Sequence, residues 1–154
     1  AKYIYKNIEL YIAGSLDERN PTGISKKKLN HFLKIKGIRY FGNVEDIREL
    51  WSKSNIAILL SKREGLPLSL MEAAAVGRAI IATNVPGCRE IAIHKYNSIT
   101  VEPGDIISTR DAILELSKNK KVRGYYATNS RKLVESDMSL VNICKQYYKL
   151  YNSL

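Results

Sequence analysis

The sequence is poor in cysteine, histidine and tryptophan, and it lacks any long uninterrupted apolar run. Its two cysteines, Cys88 and Cys144, lie far apart and outside any CxxC pattern. This spacing argues against a cysteine-based zinc site or a disulfide framework, and it favours a cytoplasmic protein whose thiols are structural. No apolar run approaches the roughly 18 residues that predict a transmembrane helix. The composition therefore predicts a soluble globular domain rather than a disordered or membrane-spanning chain.

Acidic residues are in the minority, since the sequence has 25 basic and 15 acidic residues and a net charge of +10. Such an excess favours an anionic partner, either nucleic acid, a phosphorylated ligand or an acidic membrane surface. The lysines are scattered, and the tyrosines gather near both chain ends without alternating with arginine. A groove for single-stranded nucleic acid needs that alternation of stacking and basic groups. Nucleic acid is therefore not a predicted partner.

Five short apolar runs predict β-strands, at residues 8–13, 38–41, 56–60, 79–83 and 98–101. Several are continuously apolar, as is typical of parallel strands that are covered on both faces. Between and after them, helical patterns occupy residues 25–36, 46–54, 67–76, 108–118, 121–135 and 140–151. This alternation predicts an α/β fold with a Rossmann-like, doubly wound parallel sheet, in a single domain over residues 1–154.

The start of the chain is unusual for such a fold. Residues 1–7, "AKYIYKN", resemble the last turns of a helix that no strand precedes. Because an α/β domain usually opens with a strand, we expect the chain to be a piece of a longer protein, truncated at its N-terminal strand and helix.

Two carboxylates flank the predicted strand exit and helix start in "SKREGLPLSLMEAAAVG". Glu64 follows the strand at residues 56–60. Glu72 lies inside the next predicted helix, and seven residues separate it from Glu64. Ligands of open α/β sheets bind beyond the carboxyl ends of strands, and free amides at a helix start bind phosphate. A carboxylate accepts two hydrogen bonds from a vicinal diol, such as a ribose or a sugar ring. The pattern predicts a nucleotide-sugar site.

A plainer interpretation fits the same residues. Glu72 is then an ordinary surface glutamate, and Glu64 caps a turn or pairs with Lys62 or Arg63. Two acids at this spacing are a common coincidence, so the residue pattern alone leaves both interpretations open.

A wider set of motifs resembles a known family, the retaining group 1 glycosyltransferases of GT-B architecture that carry an E-x7-E signature. Four stretches are similar to family motifs: "IELYIAG", "IRYFGNVEDIRELWSKSNIAILLS", "EGLPLSLMEAAAVGRAIIATNVPGCREI" and "NSITVEPGD". Together they cover nearly the whole chain. The pattern around "EGLP" and "ATNVPGCRE" resembles the bacterial subgroup that builds lipopolysaccharide and other surface saccharides from UDP-sugars, with UDP-N-acetylhexosamine as the first donor to test.

The resemblance implies a role for each matched residue. Glu64 is the expected catalytic residue, in contact with the donor sugar, and Glu72 accepts hydrogen bonds from the ribose. The other expected donor-binding residues are Gly65, Leu66, Leu68, Ser69, Gly14, Gly42, Asn43 and Val44. The loop "VPGCRE", with Gly87, matches a family loop whose role is more structural.

The resemblance also implies what the chain does not contain. The acceptor-binding domain, and an arginine and a lysine that neutralise the diphosphate, precede this region in the family. The chain is then the donor-binding half of a hexosyltransferase, inactive alone, with residues 139–154 forming a helix that packs back towards the missing N-terminal domain. No cofactor and no metal ion are expected, since the nucleotide-sugar is a substrate. The positive charge suits peripheral contact with the inner face of an anionic membrane.

Two rival functions remain open from the sequence. One is a nucleotide-sugar epimerase or hydrolase of similar architecture. The other is a nucleotide-binding module with no catalysis of its own.

Overall fold

A computed structural model describes residues 8–17 and 23–153 of the chain. The chain divides into two compact units, Ala1–Ile47 and Arg48–Leu154, and each is described by itself. The predicted helical turns at residues 1–7 lie outside the described residues.

The described residues of the first unit, 8–17 and 23–47, include a two-stranded parallel sheet and a helix between its strands. Strand β1 (Leu10–Ile12) pairs in parallel with β2 (Ile38–Tyr40). Helix α1 (Lys26–Phe32) lies between them in sequence, and the Ser25 side chain caps it by accepting a hydrogen bond from the amide of Lys28. A parallel pair needs such a crossover connection, so the alternating pattern predicted both strands and the helix between them.

The second unit is built around a three-stranded parallel sheet in the order β3-β4-β5. Its strands are β3 (Ile56–Leu59), β4 (Ala79–Thr83) and β5 (Ser98–Val101). Helix α2 (Ile47–Lys53) precedes β3 and crosses the boundary between the units, and α3 (Leu68–Ala75) connects β3 to β4. All five residues of the central strand β4 are buried. A continuously apolar run in the sequence is what such a fully covered strand requires.

Both faces of this sheet are covered by apolar clusters. Side chains alternate along β4, so Ile80 and Ala82 join one cluster while Ala79 and Ile81 join the other. Helix α3 contributes to the first cluster, and α5 (Ile106–Lys118) and α6 (Lys120–Asp137) contribute to the second. The second unit therefore has helices on both faces of a parallel sheet, and the predicted α/β fold class is confirmed.

Several helices differ from the sequence prediction at their ends, and α1 ends at Phe32 rather than at residue 36. Helix α5 begins at Ile106 rather than at residue 108, because the Asp105 side chain caps it by accepting a hydrogen bond from the amide of Ser108 at 2.9 Å. A four-residue helix, α4 (Pro86–Arg89), lies between β4 and β5, where the sequence predicted only a loop. A segment of four residues is too short to show helical periodicity in a sequence.

The last helix, α7 (Leu140–Tyr151), contains no buried residue. Its exposed side chains include Leu140, Val141, Tyr148 and Tyr151. Within residues 8–17 and 23–153, no helix is long and apolar enough to cross a membrane.

Candidate functional site

The turn between β3 and α3 holds three of the six candidate residues of the second unit, and the first two turns of α3 hold the other three. Strand β3 ends at Leu59 and α3 begins at Leu68, so Glu64 lies in the connecting loop at the carboxyl end of the strand. The Glu64 side chain is half-buried, whereas Gly65 and Leu66 are exposed. Open α/β sheets bind their ligands beyond this end of the strands. The predicted position of Glu64 at a strand exit is therefore what the structure shows.

The start of α3 has backbone amides that no side chain caps. Pro67 is the N-cap, its backbone is extended, and it makes no side-chain capping bond. Its carbonyl accepts from the amides of Leu70 and Met71, at 3.0 and 3.2 Å. Leu68 and Ser69 precede these residues, so their amides have no carbonyl available within the helix. Such amides, at the positive end of the helix dipole, form a binding site for phosphate.

Glu72 lies one turn into α3 on its exposed face. It follows Leu68 by four residues, and residues four apart lie above one another on a helix. The opposite face packs into the core through Leu70, Ala73 and Ala74. Glu72 is exposed, and the Cα–Cβ bonds of a helix lean towards its N-terminus, so its side chain leaves the backbone in the direction of the tip of α3.

The plainer interpretation of Glu64 gains no support from its surroundings. Among the residues that the structure describes, no ion pair joins Glu64 to Lys62 or Arg63. The charge of Glu64 instead acts on the buried thiol of Cys88. Burial is the main cause that raises the pKa of this thiol, and the negative charge of Glu64 raises it further, although a hydrogen bond with the Thr83 side chain lowers it. The Cys88 thiol is thus neutral at neutral pH.

The four candidate residues of the first unit lie after β1 and β2. The amide of Gly14 donates to the carbonyl of Gly42 at 2.7 Å, so the structure brings these two glycines together. Both have positive φ, 127° and 64°, in a region that side chains disfavour. Asn43 is exposed and Val44 is half-buried.

Tyr40 contacts a candidate residue of this unit, although it was not among the site residues predicted from the sequence. Its hydroxyl donates to the carbonyl of Gly14 at 2.7 Å, which ties the end of β2 to the residue that follows β1. An aromatic residue in a strand is usually a packing residue, so no signal in the sequence marked it.

Metal binding was not predicted, and the described residues offer no constellation for it. Within residues 8–17 and 23–153, no three His, Cys, Asp or Glu side chains come close enough to hold a metal ion. Metal independence stays a prediction.

Comparisons with known proteins point to one family. The family model described as "Glycosyl transferases group 1" matches residues 1–133. The chain is 30% identical to the N,N'-diacetylbacillosaminyl-diphospho-undecaprenol alpha-1,3-N-acetylgalactosaminyltransferase of Campylobacter jejuni, over 92% of this chain and 36% of that protein. It is 25% identical to the capsular polysaccharide biosynthesis glycosyltransferase CapM of Staphylococcus aureus, over 96% of this chain and 38% of that protein.

Solved structures show the same fold at lower identity. HepE from Anabaena, in complex with UDP, superposes with a TM-score of 0.85 at 17% identity, over 96% of this chain and 41% of that one. Sucrose-phosphate synthase from Thermosynechococcus elongatus gives a TM-score of 0.81 at 21% identity, over 94% of this chain and 38% of that one. The chain spans less than half the length of each of these four proteins.

Proposed function

The chain belongs to the group 1 glycosyltransferases, and from this premise we propose that it is the donor-binding half of a retaining transferase. The whole protein moves a sugar from a nucleoside diphosphate, UDP in our proposal, to a saccharide or lipid-linked acceptor in surface polysaccharide synthesis. The acceptor part is an N-terminal domain of the same protein, and α7 packs against it.

One observation supports this proposal: Glu64 lies in the β3–α3 loop, and Leu68 and Ser69, whose amides no side chain caps, and the exposed Glu72 follow within the first two turns of α3. A nucleotide-sugar presents its groups in a matching order, with sugar hydroxyls, a diphosphate and ribose hydroxyls. Glu64 accepts hydrogen bonds from the sugar, and Glu72 accepts them from the ribose. The distal phosphate lies against the amides of Leu66, Leu68 and Ser69, since Pro67 has none to donate.

The chemistry that this turn supplies is stabilisation of a leaving group. Glycosyl transfer passes through an oxocarbenium-like state while negative charge develops on the departing diphosphate. Preorganised amides at the tip of α3 stabilise that charge without reorganising, which is the usual source of a large rate effect. Glu64 orients the sugar as its bond to the diphosphate breaks. We propose that no metal ion or cofactor takes part.

The first unit is described by itself. We propose that its residues Gly42, Asn43 and Val44 contact the nucleotide base and that Gly14 opens a loop that takes part in donor binding. The hydrogen bond between Gly14 and Gly42 supports a joint role, because it joins the residue after β1 to the segment after β2.

Titration calorimetry of the chain with four ligands tests the function. We expect saturable binding of UDP and of the UDP-linked N-acetylhexosamines UDP-GlcNAc and UDP-GalNAc, and weaker binding of GDP, whose larger base must occupy the same site. Chains that bind none of the four contradict a donor-binding function. Binding without turnover by the complete protein, given an undecaprenyl-linked saccharide acceptor, favours the non-catalytic module. Hydrolysis or epimerisation of the free donor as the main reaction favours the other rival.

Peripheral contact with an anionic membrane on the cytoplasmic side is also part of the proposal, and the net charge of +10 supports it. We expect the chain to sediment with vesicles that contain anionic lipid more than with neutral vesicles. Equal sedimentation with both contradicts this part alone.

A further inference from the structure

The short helix α4 lies directly against the loop that carries Glu64. A Cβ atom built on Gly87 would lie 1.7 Å from the carbonyl oxygen of Gly65, 2.5 Å from that of Glu64 and 2.6 Å from the carbonyl carbon of Gly65. All three are backbone atoms, so no rotation of a side chain relieves the clash. Gly87 is buried inside a helix and its φ is not positive, so close approach alone requires glycine here.

A hydrogen bond also joins the same loop to the end of β4. The Thr83 hydroxyl donates to the carbonyl of Ser61 at 2.5 Å, and Thr83 is only 1% exposed. Cys88 is fully buried in α4, and its thiol is close enough to Thr83 and Glu64 for both side chains to affect its pKa. The loop at residues 61–65 is therefore held at its first residue by β4 and at its last two by α4.

We propose that Gly87 and Thr83 are positioning residues, which fix the backbone at residues 61–65 and thereby the place of the Glu64 carboxylate relative to the donor sugar. This inference rests on the proposed function. It assigns more than packing to the "VPGC" segment, because a shift of the loop moves Glu64 while Glu72 stays fixed in α3. The loss then falls mainly on recognition of the sugar, because Leu68, Ser69 and Glu72, which are proposed to bind the nucleotide, lie in α3.

The ratio of the dissociation constant of UDP-GlcNAc to that of UDP separates a loss of sugar recognition from a loss of nucleotide recognition. In Gly87→Ala the loop is displaced, so we expect this ratio to rise about tenfold or more, which is the size of one lost charged hydrogen bond. Gly124→Ala is the matched control. It is an exposed glycine in α6 whose added Cβ meets nothing within 4 Å, so we expect the wild-type ratio.

Thr83→Val and Thr83→Ser keep the test decisive if Gly87→Ala does not fold. Valine removes the hydroxyl at nearly constant volume, so we expect the ratio to rise about threefold, while serine keeps the hydrogen bond and the wild-type ratio. Folding of each variant is checked by thermal unfolding.

The outcomes distinguish this inference from the function on which it rests. If the wild-type chain binds neither ligand, the proposed function fails and the inference fails with it. If the wild type binds both and a folded Gly87→Ala keeps its ratio, the function stands and the inference is overturned. Equal weakening of UDP and UDP-GlcNAc in the variants also overturns it, since that result indicates a packing role. If Gly87→Ala is unfolded, an unchanged ratio in Thr83→Val overturns it.

Discussion

Replacing Glu72 with alanine is expected to weaken the binding of UDP by about 5- to 150-fold, which corresponds to about 1–3 kcal/mol. Glu72 is exposed on α3, one turn from the uncapped amides, and is proposed to accept hydrogen bonds from both ribose hydroxyls. Its removal leaves these donors facing a site that offers no acceptor in place of the carboxylate. Calorimetry with UDP measures the loss directly, without an acceptor or turnover.

Glu49→Ala is the matched control for this variant. Glu49 is also an exposed helical glutamate, in α2, and it pairs with Lys53 at 2.5 Å. The substitution changes the net charge by the same amount, so a general loss of charge affects both variants alike. We expect Glu49→Ala to bind UDP as the wild type does. An affinity of Glu72→Ala equal to that of this control contradicts the role assigned to Glu72.

Replacing Asn97 with alanine is expected to cost about 2–5 kcal/mol of the free energy of unfolding, the largest effect on stability that we predict. The side chain is fully buried, and its two polar ends are both used. Its amide nitrogen donates to the carbonyl of Ile91, and its amide oxygen accepts from the amide of Ile93, each at 2.8 Å. Alanine leaves the buried carbonyl of Ile91 and the partly buried amide of Ile93 without these partners, ahead of strand β5.

Thermal unfolding measures this cost as a fall in melting temperature of about 5–15 °C for a chain of this size. Asn55→Ala is the control, because Asn55 is exposed between α2 and β3 and we expect its loss to shift the melting temperature by no more than about 2 °C. A loss of less than about 1 kcal/mol in Asn97→Ala shows that water or a backbone shift satisfies both groups.

The strands of the sheet are the part of the fold that the sequence predicts best. Strands β4 and β5 lie at the predicted residues. Strand β4 is fully buried and reads as an almost continuous apolar run, whereas β5 is buried only at its two ends and contains Ser98 and Thr100. Helix α5 starts two residues early, at a cap that the sequence already contained in Asp105. Helix α4 was not predicted, since four residues carry no periodic pattern. The chain divides into two compact units, and that residues 1–154 form a single domain stays a prediction.

In the candidate site, the sequence predicts residues that are neighbours along the chain, but it does not predict contacts between residues far apart along the chain. Glu64 and Glu72 were predicted from one continuous stretch, because a strand exit and the next helix are neighbours in sequence. The contact of Gly87 with Gly65 joins residues 22 positions apart, and only the packing of α4 against the loop reveals it. The bond from Tyr40 to Gly14 joins residues 26 positions apart and was missed for the same reason.

Titration of the isotopically labelled chain with UDP, followed in nitrogen–proton correlation spectra, tests the site most directly because it reports on individual amides. A phosphate bound at the tip of α3 is expected to shift the amide signals of Leu66, Leu68 and Ser69 most strongly within the second unit, together with that of Glu72. The shifts should saturate at the concentration given by calorimetry. Saturable binding of UDP that leaves these four signals in place contradicts the account, because the nucleotide then lies elsewhere on the chain.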